Sequence, residues 1–151
     1  MLDRSGIAAL IPHQGAMCLL DRVAAWTDAD IVCHAVSHLD PTNPLRRQGR
    51  LSTVCGIEYA LQAAAVHGAL RGGAPQPPGR LVALRNVIIH RPRLDEAGGG
   101  RLRIEAEREH AGPAGLIYRF RLRAEDGGPL AEGRATIALP PERTEHHGRD
   151  P

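Results

Sequence analysis

The chain contains no lysine; all nineteen of its basic residues are arginine. It has only four aromatic residues, Trp26, Tyr59, Tyr118 and Phe120. A core so poor in rings must be built from Leu, Ile, Val and Ala. Few rings also means few platforms for stacking bases. The net charge is +2, with 17 acidic residues interspersed among the basic ones. No concentrated basic face results, which argues against nucleic acid as a partner. No apolar run approaches the roughly 18 residues needed to span a membrane. The opening MLDRSGIAALIPH lacks the apolar centre of a secretory signal. Cys18, Cys33 and Cys55 are odd in number and show no CxxC spacing. They read as free, reduced thiols of a cytoplasmic protein. His146 and His147 have no third ligand at metal spacing, so no metal site is expected.

What is present organises into one domain's worth of chain, 151 residues. Residues 3–10 read as a short helical turn with Asp3 or Ser5 as N-cap. Residues 17–26 and 30–38 lean towards strands, joined by a turn at 27–29. Residues 39–51 form a loop rich in Pro, Asn, Gly and Arg. Residues 52–70, STVCGIEYALQAAAVHGAL, predict a helix capped by Ser52. Four strand candidates follow, at 80–91, 101–110, 115–124 and 129–139, with turns at 98–100, 112–113 and 126–128. The domain is expected to span 1–139, with 140–151 as a disordered tail.

Between Val54 and Val66 only Glu58 and Gln62 are strongly polar. A helix apolar nearly all round is a buried helix. Two strands, one long buried helix and four antiparallel strands imply an α+β hotdog fold, in which one curved antiparallel sheet wraps one helix. A generic two-layer sandwich would leave one helix face polar, and residues 54–66 have no such face.

A carboxylate on such a helix is costly unless paired or neutral. A carboxyl withdrawn from water holds its proton more tightly, which suits a general acid near neutral pH. Glu58 is therefore the leading catalytic candidate, against the plainer reading of a carboxylate held by backbone amides or arginine. Gln62, four residues on, shares its helix face and is placed to orient it.

Residues 12–23, Pro12-His13-Gln14-Gly15-Ala16-Met17-Cys18-Leu19-Leu20-Asp21-Arg22-Val23, resemble the opening P-H-x-x-x-x-L-L-x-D-R-V of bacterial 3-hydroxyacyl-ACP dehydratases. The stretch around Glu58 and Gln62 resembles that family's central helix. Arg85 to Pro92 resembles its x-x-V-x-F-x-R-P strand, and Gly115 to Leu139 its closing strands. The similarity covers about residues 5–140 and is nearest to the dehydratase-like subunit of aryl polyene clusters.

The resemblance implies a site in which a His and a Glu, from opposite subunits of a dimer, eliminate water from a 3-hydroxyacyl thioester on acyl carrier protein. No other cofactor is implied. Glu58 matches the acid. Thr53 and Val54 stand where backbone amides at the helix start would hold the thioester oxygen. The family's base motif, fourteen residues before the Glu, is missing: Pro44 stands there, and no His lies between 39 and 57. His38 is the nearest replacement, against the reading that it simply ends a strand. His13 matches a family residue whose usual reading is structural, near the tunnel entrance. His67, near the helix end, would complement the dipole as a cation. Arg46, Arg47 and Arg50 suit an acidic carrier protein and its phosphate, or are merely a solvated loop. Tyr59, Tyr118 and Phe120 are expected to line the helix or an acyl tunnel beside it.

Three other readings stay open: a half-site partner that completes a second dehydratase chain, a thioesterase in which Glu58 activates water, and a plain acyl-binding scaffold. The dimer could be of identical or of different hotdog chains.

Overall fold

The structure is a computed structural model describing residues 2–13, 15–96 and 98–141. Helix α1 (Arg4–Leu10) begins where the Asp3 side chain accepts from the Gly6 N–H. Strands β1 (Arg22–Trp26) and β2 (Asp30–Ala35) form an antiparallel pair. A 3-10 turn (Thr53–Cys55) leads into helix α2 (Gly56–Gly72). Strands β3 (Arg80–Ile89), β4 (Leu102–Ala111), β5 (Gly115–Arg123) and β6 (Pro129–Ala138) complete one six-stranded sheet of order β1-β2-β4-β5-β6-β3. Every pairing in it is antiparallel. This is the hotdog arrangement anticipated above. The first strand starts later than expected, and the second gives way to a 3-10 turn at Ser37–Leu39. The tail beyond 141 lies outside the described residues.

Alternation along the strands builds the core. Cys33, Ile104, Leu122 and Ala131 stand in register across four strands, as do Ile31, Ala106, Phe120 and Gly133. The side chains of this inner face are buried. The outer face carries charge instead, with Arg103–Glu105 at 2.8 Å and Arg134–Glu109 at 2.7 Å. α2 packs against β2, β4 and β5. Gly56 lets it begin there, because a Cβ at that position would lie 2.7 Å from Leu122 Cδ2. Gly73, at φ 72°, adopts the left-handed conformation that closes the helix.

Tyr59, Tyr118 and Phe120 are all buried in this core. They pack around the helix and do not line the cavity described below. Trp26, at the end of β1, is exposed.

Candidate active site

α2 is not sealed all round. Tyr59, Ala63, Val66 and His67 are buried, but Ala65 is exposed and Glu58, Leu61 and Gly68 are only partly covered. Residues 58, 61, 65, 68 and 72 recur at helical spacing and form one open face. That face is one wall of a cavity of about 760 Å³, opposite Leu81, Leu116 and Ile137 of the sheet. The volume is in the range of small-molecule sites. Glu58 is thus a correction to the buried carboxylate anticipated from sequence: its side chain keeps 32% of its exposure and faces the cavity.

His13, also on the cavity wall, stands against it, with Nε2 3.2 Å from Glu58 Oε1. His13 Nδ1 is buried and has no partner among the described residues. The segment bearing His13 is anchored on both sides. Upstream, α1 ends with the Ile11 N–H donating to Ile7 O. Downstream, Leu19 N–H donates to Gln62 Oε1 at 2.9 Å, and Gln62 Nε2 donates to Met17 O at 2.7 Å. Gln62 is fully buried and both ends of its amide are used. Its observed role is to hold this segment, not to orient the Glu58 carboxyl. Asp21 tightens the same stretch, its Oδ2 accepting from Val36 N–H at 2.6 Å.

His38 sits elsewhere. It is fully buried in the 3-10 turn after β2, is not on the cavity wall, and neither ring nitrogen has a hydrogen-bond partner among the described residues. Burial pushes its pKa down, the nearby Gly100 backbone opposes that, and Arg46 adds to the lowering. A ring enclosed this way is held by packing, so the structure brings His13, not His38, to Glu58. His67 also departs from expectation. It is buried, and burial lowers its pKa. Its Nε2 lies 2.8 Å from Thr27 O, which can only accept, so Nε2 carries the proton. Nδ1 then accepts from the Tyr118 hydroxyl at 2.6 Å. This is a neutral imidazole in a satisfied network, not a cation at a helix end.

The arginine loop divides. Arg46 is largely covered and donates to Asp40 O, Gly49 O, His38 O and Asp95 Oδ2. It clamps the loop and has no hand free for a carrier protein. Arg47 and Arg50 are exposed around a tight two-residue turn, exchanging backbone hydrogen bonds of 2.9 Å in both directions. Asp95 ties this loop to the segment after β3, accepting also from Arg93 and from the Leu51 N–H. Those donors hold its pKa well below the usual carboxylate range.

The helix start is likewise occupied. Thr53 N–H donates to Pro92 O at 3.0 Å, and Val54 N–H to Ser52 Oγ at 3.2 Å. Thr53 is buried and Val54 is 58% exposed. Within this subunit the Thr53 amide is not free for a thioester oxygen.

The model of the ApeP-like family, the ApeP dehydratases, matches residues 5–147. The chain belongs to this dehydratase family. A chain of the dehydratase heterocomplex ApeI:P from Xenorhabdus doucetiae is 25% identical, with a TM-score of 0.76. That match covers 92% of this chain and 93% of the other. A thioesterase from Haemophilus influenzae superposes with a TM-score of 0.60 at 16% identity, covering 83% of this chain and 82% of its own. A hypothetical thioesterase from Streptococcus pneumoniae, solved with coenzyme A, gives 0.58 at 14%, covering 82% and 88%. At such identities these two establish the fold alone. Curated proteins yield no match. Among the described residues of this ApeP-like dehydratase, no cluster of His, Cys, Asp or Glu could hold a metal, and no helix is long and apolar enough to cross a membrane.

The family resemblance implies a structural His13 near a tunnel entrance; the structure puts it on the cavity wall against Glu58. The signal that could have found it was Gln62: a buried amide on the helix must be satisfied by something, and a motif loop nearby offers free backbone.

Proposed function

We propose that this family member removes water from a 3-hydroxyacyl thioester carried on acyl carrier protein, with His13 and Glu58 as the proton-handling pair. The contact of His13 Nε2 with Glu58 Oε1 at the head of an apolar cavity carries the reading. Dehydration needs a base for the C2 proton and an acid for the C3 hydroxyl. The C2–H and C3–O bonds break, the C2=C3 bond forms and water leaves. The imidazole gains one proton and the carboxyl loses one. A direct contact between them returns the proton from His13 to Glu58 and resets the pair. The apolar walls accept the acyl chain and strengthen charge interactions by excluding water. The likeness to the aryl polyene subunit favours chains lengthened through repeated dehydration.

The chain works as half of a hotdog dimer. β3 is an edge strand on which Val82, Leu84, Val87, Ile88 and Ile89 are exposed. An apolar edge of this kind is a site for strand pairing with a second chain. The ApeI:P heterocomplex supports a different hotdog chain as that partner. A partner could also add residues to the cavity, including a donor for the thioester oxygen.

The test is purified protein, alone and with a co-encoded hotdog chain, given a 3-hydroxyacyl carrier protein, following loss of water by mass. Turnover abolished by Glu58→Gln and by His13→Ala supports the reading. Turnover that survives both, or release of free carrier thiol instead of water, overturns it.

A further inference from the structure

The 3-10 turn that follows His13, Gly15–Met17, has no buried residue, so packing does not fix it. Gly15 is exposed at φ 59°, and a Cβ there would meet nothing within 4 Å. Hydrogen bonds hold the segment instead. Met17 O accepts from Gln62, and Leu19 O from Ser37 Oγ at 2.8 Å. Gly15 O, two residues from His13, accepts from the Cys18 N–H at 3.1 Å and from Arg4 Nη2 at 2.9 Å. Arg4 is itself placed by its surroundings. It opens α1, which the Asp3 cap, the buried Ile7 and a bond of 2.9 Å from Val23 N–H to Leu2 O hold beside β1. Arg4 Nη1 lies 3.6 Å from Asp21 Oδ1. Asp21 is anchored in turn, its Oδ2 accepting from Val36 N–H and its own N–H donating to His34 O.

We infer that Arg4 is a positioning residue, which fixes the turn after His13 and so the angle at which the imidazole meets Glu58. The inference rests on the His13 and Glu58 pair proposed above. An ion pair as exposed as Arg4 with Asp21 contributes little to stability. Its worth is geometric: Asp21 aims the guanidinium, and the guanidinium holds the Gly15 carbonyl through a charge-assisted bond. A small misplacement of a proton-transfer group costs rate far more than it costs stability. Arg4 stands just before the span of residues 5–147 matched by the family model, so this tether lies outside the part of the chain that defines the family.

The test is Arg4→Met in the assembled complex, with Arg101→Met as the control. Arg101 is about as exposed, 48% against 45%, and pairs with Glu125 at 4.0 Å, but makes no bond to the His13 segment among the described residues. Arg4→Met should lower kcat about tenfold, with KM within about twofold. Its melting temperature should stay within about 2 °C of the wild type. Arg4→Lys should recover part of kcat, because an ammonium can still donate to Gly15 O. In a His13→Ala background Arg4→Met should have no further effect, since it acts through that ring. Amide exchange followed by NMR reads the tether without turnover. The Cys18 N–H, bonded to Gly15 O, should exchange about fivefold faster in Arg4→Met and be unchanged in Arg101→Met. An unchanged kcat, an equal loss with and without His13, or a loss matched by Arg101→Met overturns the inference. So does a loss that follows a fall in melting temperature, or an unaltered Cys18 exchange. A wild-type complex that does not dehydrate sinks the functional reading, and Cys18 exchange then decides the tether on its own.

Discussion

The two sides of α2 treat polar groups in opposite ways. On the side facing β2, β4 and β5, polarity is enclosed and answered. Tyr59 hydroxyl meets Ser37 Oγ at 2.7 Å and Asn43 Nδ2 at 3.1 Å, and His67 is bonded at both ring nitrogens. Gln62 satisfies two backbone groups of the motif segment. On the side facing the cavity, Glu58 keeps a third of its exposure and His13 Nδ1 has no partner among the described residues. A buried orphan costs about 1–3 kcal/mol, and among the described residues the His38 ring and Thr53 Oγ1 bear that cost away from the cavity as well. What separates scaffold from chemistry is access: the His13 and Glu58 pair stands on the cavity wall, where a substrate can reach it.

The sharpest way to break this contrast is kinetic. Glu58→Gln and His13→Ala are each expected to lower kcat by about 10²–10⁴-fold in the assembled enzyme. His38→Ala should stay within a few-fold. A large loss at His38 with little at His13 would transfer the base role.

Gln62 joins the two sides and tests whether they are separable. Gln62→Leu keeps the volume but orphans Leu19 N–H and Met17 O, for a cost of about 2 kcal/mol. The melting temperature should fall by roughly 4–8 °C. Turnover should fall as well, because the His13 segment loses its tether. A variant that melts early with unchanged kcat would make Gln62 purely structural.

Two alanines compare the faces directly. Ala63 is fully buried and Ala65 is on the cavity wall. Ala63→Leu should cost about 1–3 kcal/mol by overpacking. Ala65→Leu should leave the melting temperature nearly unchanged and lower kcat/KM by filling the cavity. Equal melting effects would remove the distinction. A smaller effect, about 1 kcal/mol, is expected for Tyr118→Phe, which removes the bond to His67. Denaturant titration measures it.

Acid should act through the enclosed groups. Burial lowers the pKa of His34, His38 and His67, so each binds its proton less readily folded than unfolded. Stability is therefore complete above about pH 6.5 and falls as the pH drops below it, because the unfolded chain protonates first. Asp95, also lowered, withdraws its contribution in a second window below about pH 4. Melting temperatures between pH 7.5 and 5.5 should decline in the wild type and less steeply in His38→Leu. An identical slope would place the proton uptake elsewhere.

The order of elements, the strand faces and the family were legible in the chain itself. Alternation in Leu102, Ile104 and Ala106, or in Tyr118, Phe120 and Leu122, is a local pattern that burial on one face demands. The charge on an apolar helix marked Glu58 by the same local logic. What local logic could not show was direction and distance. Glu58 and His13 are forty-five residues apart, and their meeting depends on α1, Gln62 and the turn at Gly15–Met17 acting together. His38 looked available because sequence does not reveal that a loop closes over it. Arg46, Arg47 and Arg50 looked like a cationic surface because they are adjacent, yet Arg46 is spent on carbonyls and Asp95. Composition and periodicity decided what kind of fold this chain makes. Packing decided which polar groups are consumed in making it and which are left for a substrate, since hydrogen-bond satisfaction belongs to the folded neighbourhood and not to the residue.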